Sequence, residues 1–162
     1  KAVTFKGPKG LAYDGEALFT GIRRLTLTMP AGSWSDSTYQ HGVEMSHVSY
    51  WRDGKPFRET RYTNQALSGK SMTYHPNGVV IYEIAWKVDT LQHQQVFRRI
   101  YRTPEGRVIS ELKGDADMGA DGLPFSGRIP SLFDEHGKAL KEDEFQNGRL
   151  ILEDPLESKP LP

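Results

Sequence analysis

The sequence predicts an all-β chain, an antiparallel meander of stacked β-hairpins in an elongated or curved sheet with little or no helix. Three observations carry this. Apolar residues alternate with polar ones at a period of two and seldom recur at helical spacing. A polar residue followed by glycine, the signature of a tight turn, stands at Asp14-Gly15, His41-Gly42, Asp53-Gly54, Asn77-Gly78, Glu105-Gly106, His136-Gly137 and Asn147-Gly148. The spacing of these glycines is regular: Gly42 to Gly54 is 12 residues, Gly54 to Gly78 is 24 and Gly137 to Gly148 is 11.

Taken in order, Leu25, Leu27 and Met29 alternate with Arg24, Thr26 and Thr28 and predict a strand. Residues 30–38, rich in Ser and Gly, predict an excursion between strands, with Trp34 left in a loop where it is hard to bury. Tyr62-Thr63-Asn64-Gln65 fills the turn missing between Gly54 and Gly78. Val80, Tyr82, Ile84 and Trp86 alternate with Ile81, Glu83 and Ala85 as a further strand, with Trp86 in the core. Residues 96–102 and 107–112 flank Thr103-Pro104-Glu105-Gly106 as a hairpin. Residues 114–127, with Asp115, Asp117 and Asp121, predict a second excursion. One short hairpin cannot bury its own face, so such units must stack. The expectation is a single β-repeat domain over 1–153 and an extended or disordered tail over 154–162, which holds three prolines.

Composition narrows the chemistry. The 162 residues carry 21 basic and 21 acidic side chains, so no net charge favours nucleic acid. The distribution is uneven: through Leu112 there are 15 Lys and Arg against 10 Asp and Glu, net +5, and from Lys113 onward 6 against 11, net −5. Without cysteine, thiolate catalysis and Cys-ligated metals are excluded. No apolar run approaches the roughly 20 residues that span a bilayer, so a chain that is not transmembrane is expected. It begins at Lys1, which fits a removed export signal and points to the periplasm, or a trimmed boundary and the cytoplasm.

Chemistry-bearing residues read mainly as structural. His41, His75 and His136 sit in turns, and His47 shares the alternation face of Met45 and Trp51 as a half-buried strand position. No nucleophile-elbow motif accompanies them, so no catalytic residue and no cofactor is assigned. The carboxylates of 115–122 loosely follow a calcium loop. Their glycine is misplaced and Ser126 holds the twelfth position, so a solvated acidic loop is expected and no metal ligand is assigned. Arg98, Arg99 and Arg102 gather on one hairpin. With Trp34, Tyr50 and Trp51 and the acidic Asp115, Asp117 and Asp121, they form the candidate set for contact with a protein partner, because Arg and aromatic residues anchor interfaces.

Tyr74-His75-Pro76-Asn77-Gly78-Val79-Val80 after Leu67-Ser68-Gly69-Lys70, Phe125-Ser126-Gly127 before Phe133-Asp134-Glu135-His136-Gly137-Lys138, Phe145-Gln146-Asn147-Gly148, and Tyr13-Asp14-Gly15 with Phe19-Thr20-Gly21 together resemble the MORN-like repeat family. The bacterial branch described as antitoxin or toxin-immunity repeats is the nearest in pattern. That resemblance implies a non-catalytic protein that binds and neutralises a cognate toxin or secreted effector by covering its active site. The alternative it implies is a MORN-type scaffold for protein or membrane-surface association, including association with a second copy of the chain.

Overall fold

The structure is a computed structural model and describes residues 2–7, 10–63, 68–89, 91 and 93–152. Among them the chain forms strands and no helix. The strands are β1 (Val3–Lys6), β2 (Leu11–Asp14), β3 (Ala17–Leu18), β4 (Gly21–Thr26), β5 (Trp34–Gln40), β6 (Val43–Tyr50), β7 (Pro56–Thr63) and β8 (Ser68–Tyr74). They continue as β9 (Val80–Val88), β10 (Gln94–Arg102), β11 (Val108–Lys113), β12 (Ala116–Gly119), β13 (Gly127–Phe133), β14 (Ala139–Gln146) and β15 (Arg149–Leu152). Strands β4 to β12 follow one another in a nine-stranded sheet in chain order, the predicted antiparallel meander. β1-β2-β3 and β13-β14-β15 form two three-stranded sheets. No described helix is long and apolar enough to cross a membrane.

Two turn geometries build these hairpins. At Trp51, His75, Thr103 and Asp134 the backbone N–H donates to the carbonyl four residues on, and the glycine three residues on donates back at 2.8–3.1 Å. Those glycines, Gly54, Gly78, Gly106 and Gly137, have φ of 83 to 90°, which a side chain would strain. Asp53, Asn77 and Asp134 cap the same turns by accepting backbone N–H bonds at 2.9–3.0 Å. The second geometry is the two-residue turn in which both residues have positive φ: His41 at 48° with Gly42 at 78°, and Asn147 at 50° with Gly148 at 76°.

The chain divides into two compact units, Lys1–Ser71 with Trp86–Gln95, and Met72–Ala85 with Val96–Pro162. In the first, Tyr39 is buried between the rings of Phe5 and Phe19, 6.2 and 5.7 Å away, and Trp51 packs on Phe57 at 5.5 Å. In the second, Tyr101, Ile129 and Phe145 form a buried cluster lined by Tyr82, Ile109, Phe125 and Leu150. Each unit contains one copy of the same closure. Ala12 donates to the Gly42 carbonyl, Gly42 to Phe19 and Phe19 to Ala12, at 2.7–2.9 Å. Asp117, Gly148 and Phe125 repeat that triangle at 2.7–2.9 Å. The flanking residues match as well, because His41 N–H donates to Thr20 Oγ1 at 3.0 Å and Asn147 N–H to Ser126 Oγ at 2.9 Å. Phe19-Thr20-Gly21 with Tyr39-Gln40-His41-Gly42 is thus the counterpart of Phe125-Ser126-Gly127 with Phe145-Gln146-Asn147-Gly148.

Several local expectations are corrected. Residues 34–40 are strand β5 and not part of an excursion, since the serines alternate inward and supply a regular period-two pattern that hydrophobicity does not register. Residues 116–119 of the second expected excursion are strand β12. The strand read from Leu25 to Met29 ends at Thr26, because Met29 precedes a Pro30–Ser33 turn. Trp86 is half-buried, set edge-on to Tyr62 at 6.1 Å. The turn assigned to Gln65 and the tail over 154–162 lie outside the described residues.

Candidate partner-binding face

Strands β4 to β7 pair antiparallel, unbroken between β4 and β5 and with one register shift in each of the next two pairings, at Thr38/Tyr39 and at Ser49/Tyr50, and residues directly opposite one another share a face. One face carries the rows Thr26-Trp34-Tyr50-Pro56, Arg24-Asp36-Val48-Glu59 and Ile22-Thr38-Ser46-Arg61. Trp34 and Tyr50, directly opposed, stack at 5.4 Å with their planes 21° apart. Arg24 lies over Trp34, its guanidinium carbon 5.6 Å from the ring centroid, and binds Asp36 through two parallel hydrogen bonds of 2.7 and 2.8 Å. That hydrogen bond, against a smaller effect of burial, holds the Asp36 carboxyl below the usual aspartate range. Arg61 and Glu59 pair at 2.8 Å in the next rows. The result is an aromatic pair set in alternating charge, on side chains that are exposed or half-buried.

The opposite face of the same strands is mainly polar, with its serines, Thr60 and Tyr39 buried and Leu25 at its edge exposed. Its rows are Leu25-Ser35-Ser49-Arg58, Arg23-Ser37-His47-Thr60 and Gly21-Tyr39-Glu44. Ser35, Ser37, Ser49 and Thr60 are all buried. Buried hydroxyls are costly without partners. Here Ser37 Oγ meets His47 Nδ1 at 2.8 Å, Ser49 Oγ meets Nε2 at 3.4 Å, and Thr60 Oγ1 donates to Ser71 Oγ at 3.0 Å. Glu44 Oε1 is 3.5 Å from His47 Nδ1. Burial works against the Glu44 carboxylate, yet hydrogen bonds from His47 and Ser37 with the charges of His47 and Arg23 outweigh it and keep its pKa low. Ser49, His47 and Glu44 have the order of a hydroxyl, imidazole and carboxylate triad. The closest partner of Nδ1 is the Ser37 hydroxyl and not the carboxylate, and the hydroxyl at Nε2 is long and buried. The set therefore reads as a cross-strand hydrogen-bonded ladder.

In the second unit the predicted basic hairpin resolves into ion pairs. Arg98 Nε binds Glu83 Oε1 at 3.0 Å, and Arg102 reaches Glu83 Oε2 at 3.5 Å, so one buried carboxylate holds both. Arg99 binds Asp117 at 3.1 Å. Burial raises the Asp117 pKa more strongly than Arg99 lowers it, and its Oδ1 has no hydrogen-bond partner. Tyr101, fully buried, donates to Asp143 Oδ2 at 2.6 Å, and Ser131 Oγ lies 3.4 Å from Oδ1. Burial first, then the charges of Tyr82 and Asp143 and the bond to Asp143, push the Tyr101 hydroxyl far above the ordinary tyrosine range.

Of the residues singled out for partner contact, Trp34 and Tyr50 are brought together. Arg98, Arg99 and Arg102 are engaged with carboxylates of their own unit. Asp115 is exposed in the turn before β12, and Asp121 is exposed in the turn after it, where its Oδ1 accepts the Leu123 N–H at 3.0 Å. Two of the nine are corrected. Trp51 is 1% exposed and Asp117 is 2% exposed, the one held by Phe57 and the other by Arg99, so neither presents a surface to a partner. The three aspartates do not converge, and among the described residues no three His, Asp or Glu side chains gather as a metal site would require. Arg24 and Asp36 were missed. Their opposition across β4 and β5 is set by register over 12 residues, and the only sequence signal for it is the alternation of Ser33, Ser35 and Ser37 around them. No protein-family model, curated protein or solved structure matches the chain.

Proposed function

We propose that this chain is a non-catalytic binding protein of the toxin-immunity kind, which engages a cognate toxin or secreted effector through the Trp34–Tyr50 face of β4 to β7. The observation that carries the reading is the stacked Trp34–Tyr50 pair under Arg24, flanked by Asp36. Trp, Tyr and Arg are the residues that most often dominate the energetics of protein interfaces, and here they are pre-ordered by a sheet. Pre-ordering matters because each rotamer already fixed lowers the entropy lost on binding, by about 0.5–1.5 kcal/mol per side chain. The immunity role itself rests on the resemblance of the repeat sequences, which supplies the kind of partner and the expectation that binding alone neutralises it.

The test is co-expression with the product of the neighbouring reading frame, followed by size-exclusion chromatography. Co-elution that is weakened about 30-fold or more by Trp34→Ala is expected, the effect of losing one dominant interface residue at about 2 kcal/mol. Separate elution, or a complex indifferent to both Trp34→Ala and Arg24→Ala, overturns the reading.

A further inference from the structure

Among the described residues, strand β4 ends the nine-stranded sheet and is paired only with β5. Its six residues run in unbroken register, with no bulge and no proline. The direction of its backbone groups follows from one bond. Leu27 N–H donates to the Ser33 carbonyl at 2.9 Å, and Leu27 and Ser33 are opposed in the continuation of the Thr26–Trp34 register. Antiparallel pairs alternate between bonded and non-bonded, so Leu25, Arg23 and Gly21 use their N–H and C=O groups toward β5. Ile22, Arg24 and Thr26 point theirs outward, away from the sheet. An edge of this kind is usually blunted by charge. Both arginines of β4 are instead engaged, Arg24 with Asp36 and Trp34 of the neighbouring strand, and Arg23 over the ring of Phe5 in β1, 5.3 Å away. The strand's two apolar side chains, Ile22 at 66% and Leu25 at 40%, stay exposed on its two faces.

We infer that the open edge of β4 binds an extended, acidic segment of a protein partner as an added antiparallel strand. This rests on the reading of the adjoining Trp34–Tyr50 face as partner-binding and names what the partner offers. Charge selects the occupant. A second copy of the chain paired antiparallel, with its three outward residues opposite those of the first, sets Arg24 opposite Arg24, and sliding it to place Ile22 opposite Arg24 sets Arg23 opposite Arg23. Like charges directly opposed are destabilising. A segment with two adjacent carboxylates places one beside each arginine, one on either face, and an apolar residue at each side of them meets Ile22 and Leu25. Main-chain bonds at the three outward residues then supply affinity and the alternate side chains supply selection.

The probe is the peptide Thr-Ile-Glu-Glu-Val-Thr, blocked at both ends and added at millimolar concentration to the full chain, with Thr-Ile-Lys-Lys-Val-Thr as control. Amide hydrogen exchange by NMR reads the result residue by residue. The amides of Ile22, Arg24 and Thr26 exchange fast in the free chain and slow about tenfold or more with the glutamate peptide, those of Arg23 and Leu25 are slow throughout, and the lysine peptide has no effect. Thr26→Pro removes an outward N–H without touching the bonds to β5, so it abolishes the protection and leaves the circular dichroism unchanged. Protection of Ile22, Arg24 and Thr26 in the free chain overturns the inference, as does equal slowing by both peptides, no slowing by the glutamate peptide, or slowing that survives Thr26→Pro. A toxin complex that depends on Trp34 and tolerates Thr26→Pro also overturns strand addition while the partner-binding reading stands. Peptide protection without any captured partner keeps the edge site and removes the toxin reading.

Discussion

Removing one oxygen atom, in Tyr101→Phe, tests how the second unit is held together. Tyr101 is 0% exposed, and its hydroxyl donates to Asp143 Oδ2 at 2.6 Å. The other described partner of that carboxylate, Ser131, is at the long distance of 3.4 Å. Phenylalanine keeps the ring contacts with Tyr82 at 4.5 Å and Phe145 at 5.5 Å, so almost no packing is lost and the change isolates the hydrogen bond. A hydrogen bond to a charged group contributes about 1.5–3 kcal/mol, and its loss leaves a buried carboxylate oxygen without its donor, so a cost of about 2–3 kcal/mol is expected. In urea, with a slope of about 2 kcal/mol per molar, that lowers the unfolding midpoint by about 1–1.5 M with the slope unchanged. The double-mutant cycle with Asp143→Ala should return a coupling of about 1.5 kcal/mol or more. A midpoint within about 0.2 M of the parent, or additive single changes, would refute the reasoning and reduce the contact to a surface-like pair.

The same hydroxyl makes stability fall at alkaline pH. Its pKa is raised in the folded chain, as are those of Tyr39 and Tyr62, in each case chiefly by burial. The unfolded chain loses these protons near the ordinary value of 10.0 while the folded one retains them, so stability present below pH 10 declines above it, by up to about 1.4 kcal/mol per pH unit for Tyr101. Denaturation midpoints from pH 9 to 12 check this, and Tyr101→Phe should make the decline shallower. At the acid end the sign reverses for Asp36, whose lowered pKa gives a contribution present above about pH 4 and lost as pH falls through its folded value. NMR titration should show the Asp36 pKa rising toward the usual aspartate value in Arg24→Ala, with little change in stability because the pair lies at the surface and is screened by solvent. Gly69→Ala should cost about 1–3 kcal/mol, since a Cβ there falls 2.5 Å from the Trp86 ring and 3.0 Å from the Arg61 carbonyl oxygen. An unshifted melting temperature and tryptophan emission would show that Trp86 moves aside at no cost.

How much could be read beforehand depended on range. The turns at Gly54, Gly78, Gly106 and Gly137 were legible because a positive φ is a demand on one residue, met by glycine within four positions of its partners. The all-β class followed from the same local signals. Strand β5 was not legible, because its inward residues are Ser35, Ser37 and Tyr39, and a scale that counts hydroxyls as loop-formers sees no alternation. The hairpin from β10 to β11 is legible in the sequence, whereas the engagement of its arginines is not. Their partners, Glu83 and Asp117, lie 15 to 19 residues away and become neighbours only through strand pairing. Trp34 and Tyr50 were picked out by residue type, whereas their stacking is a consequence of register.

The duplicated closure shows how one backbone design carries two different interiors. Counting two residues back from the matched aromatics, Tyr39 and Phe145, gives Ser37 in one copy and Asp143 in the other, each facing inward. Ser37 meets the imidazole of His47, and Asp143 meets the hydroxyl of Tyr101, so one position holds a hydroxyl–imidazole contact and the other a carboxyl–phenol contact. A second matched pair, Ala12 and Asp117, holds the same three backbone bonds in both copies, yet only Asp117 carries a buried charge tied to Arg99. The main-chain triangle therefore does not need that carboxylate. Asp117→Ala alone should be destabilising, because it strands the Arg99 guanidinium, whereas the paired replacement Arg99→Met with Asp117→Ala should recover most of the loss. Thermal unfolding of the two variants decides the point. A double variant no more stable than the single one would mean that the ion pair itself, and not the shared backbone closure, fixes β12 in place.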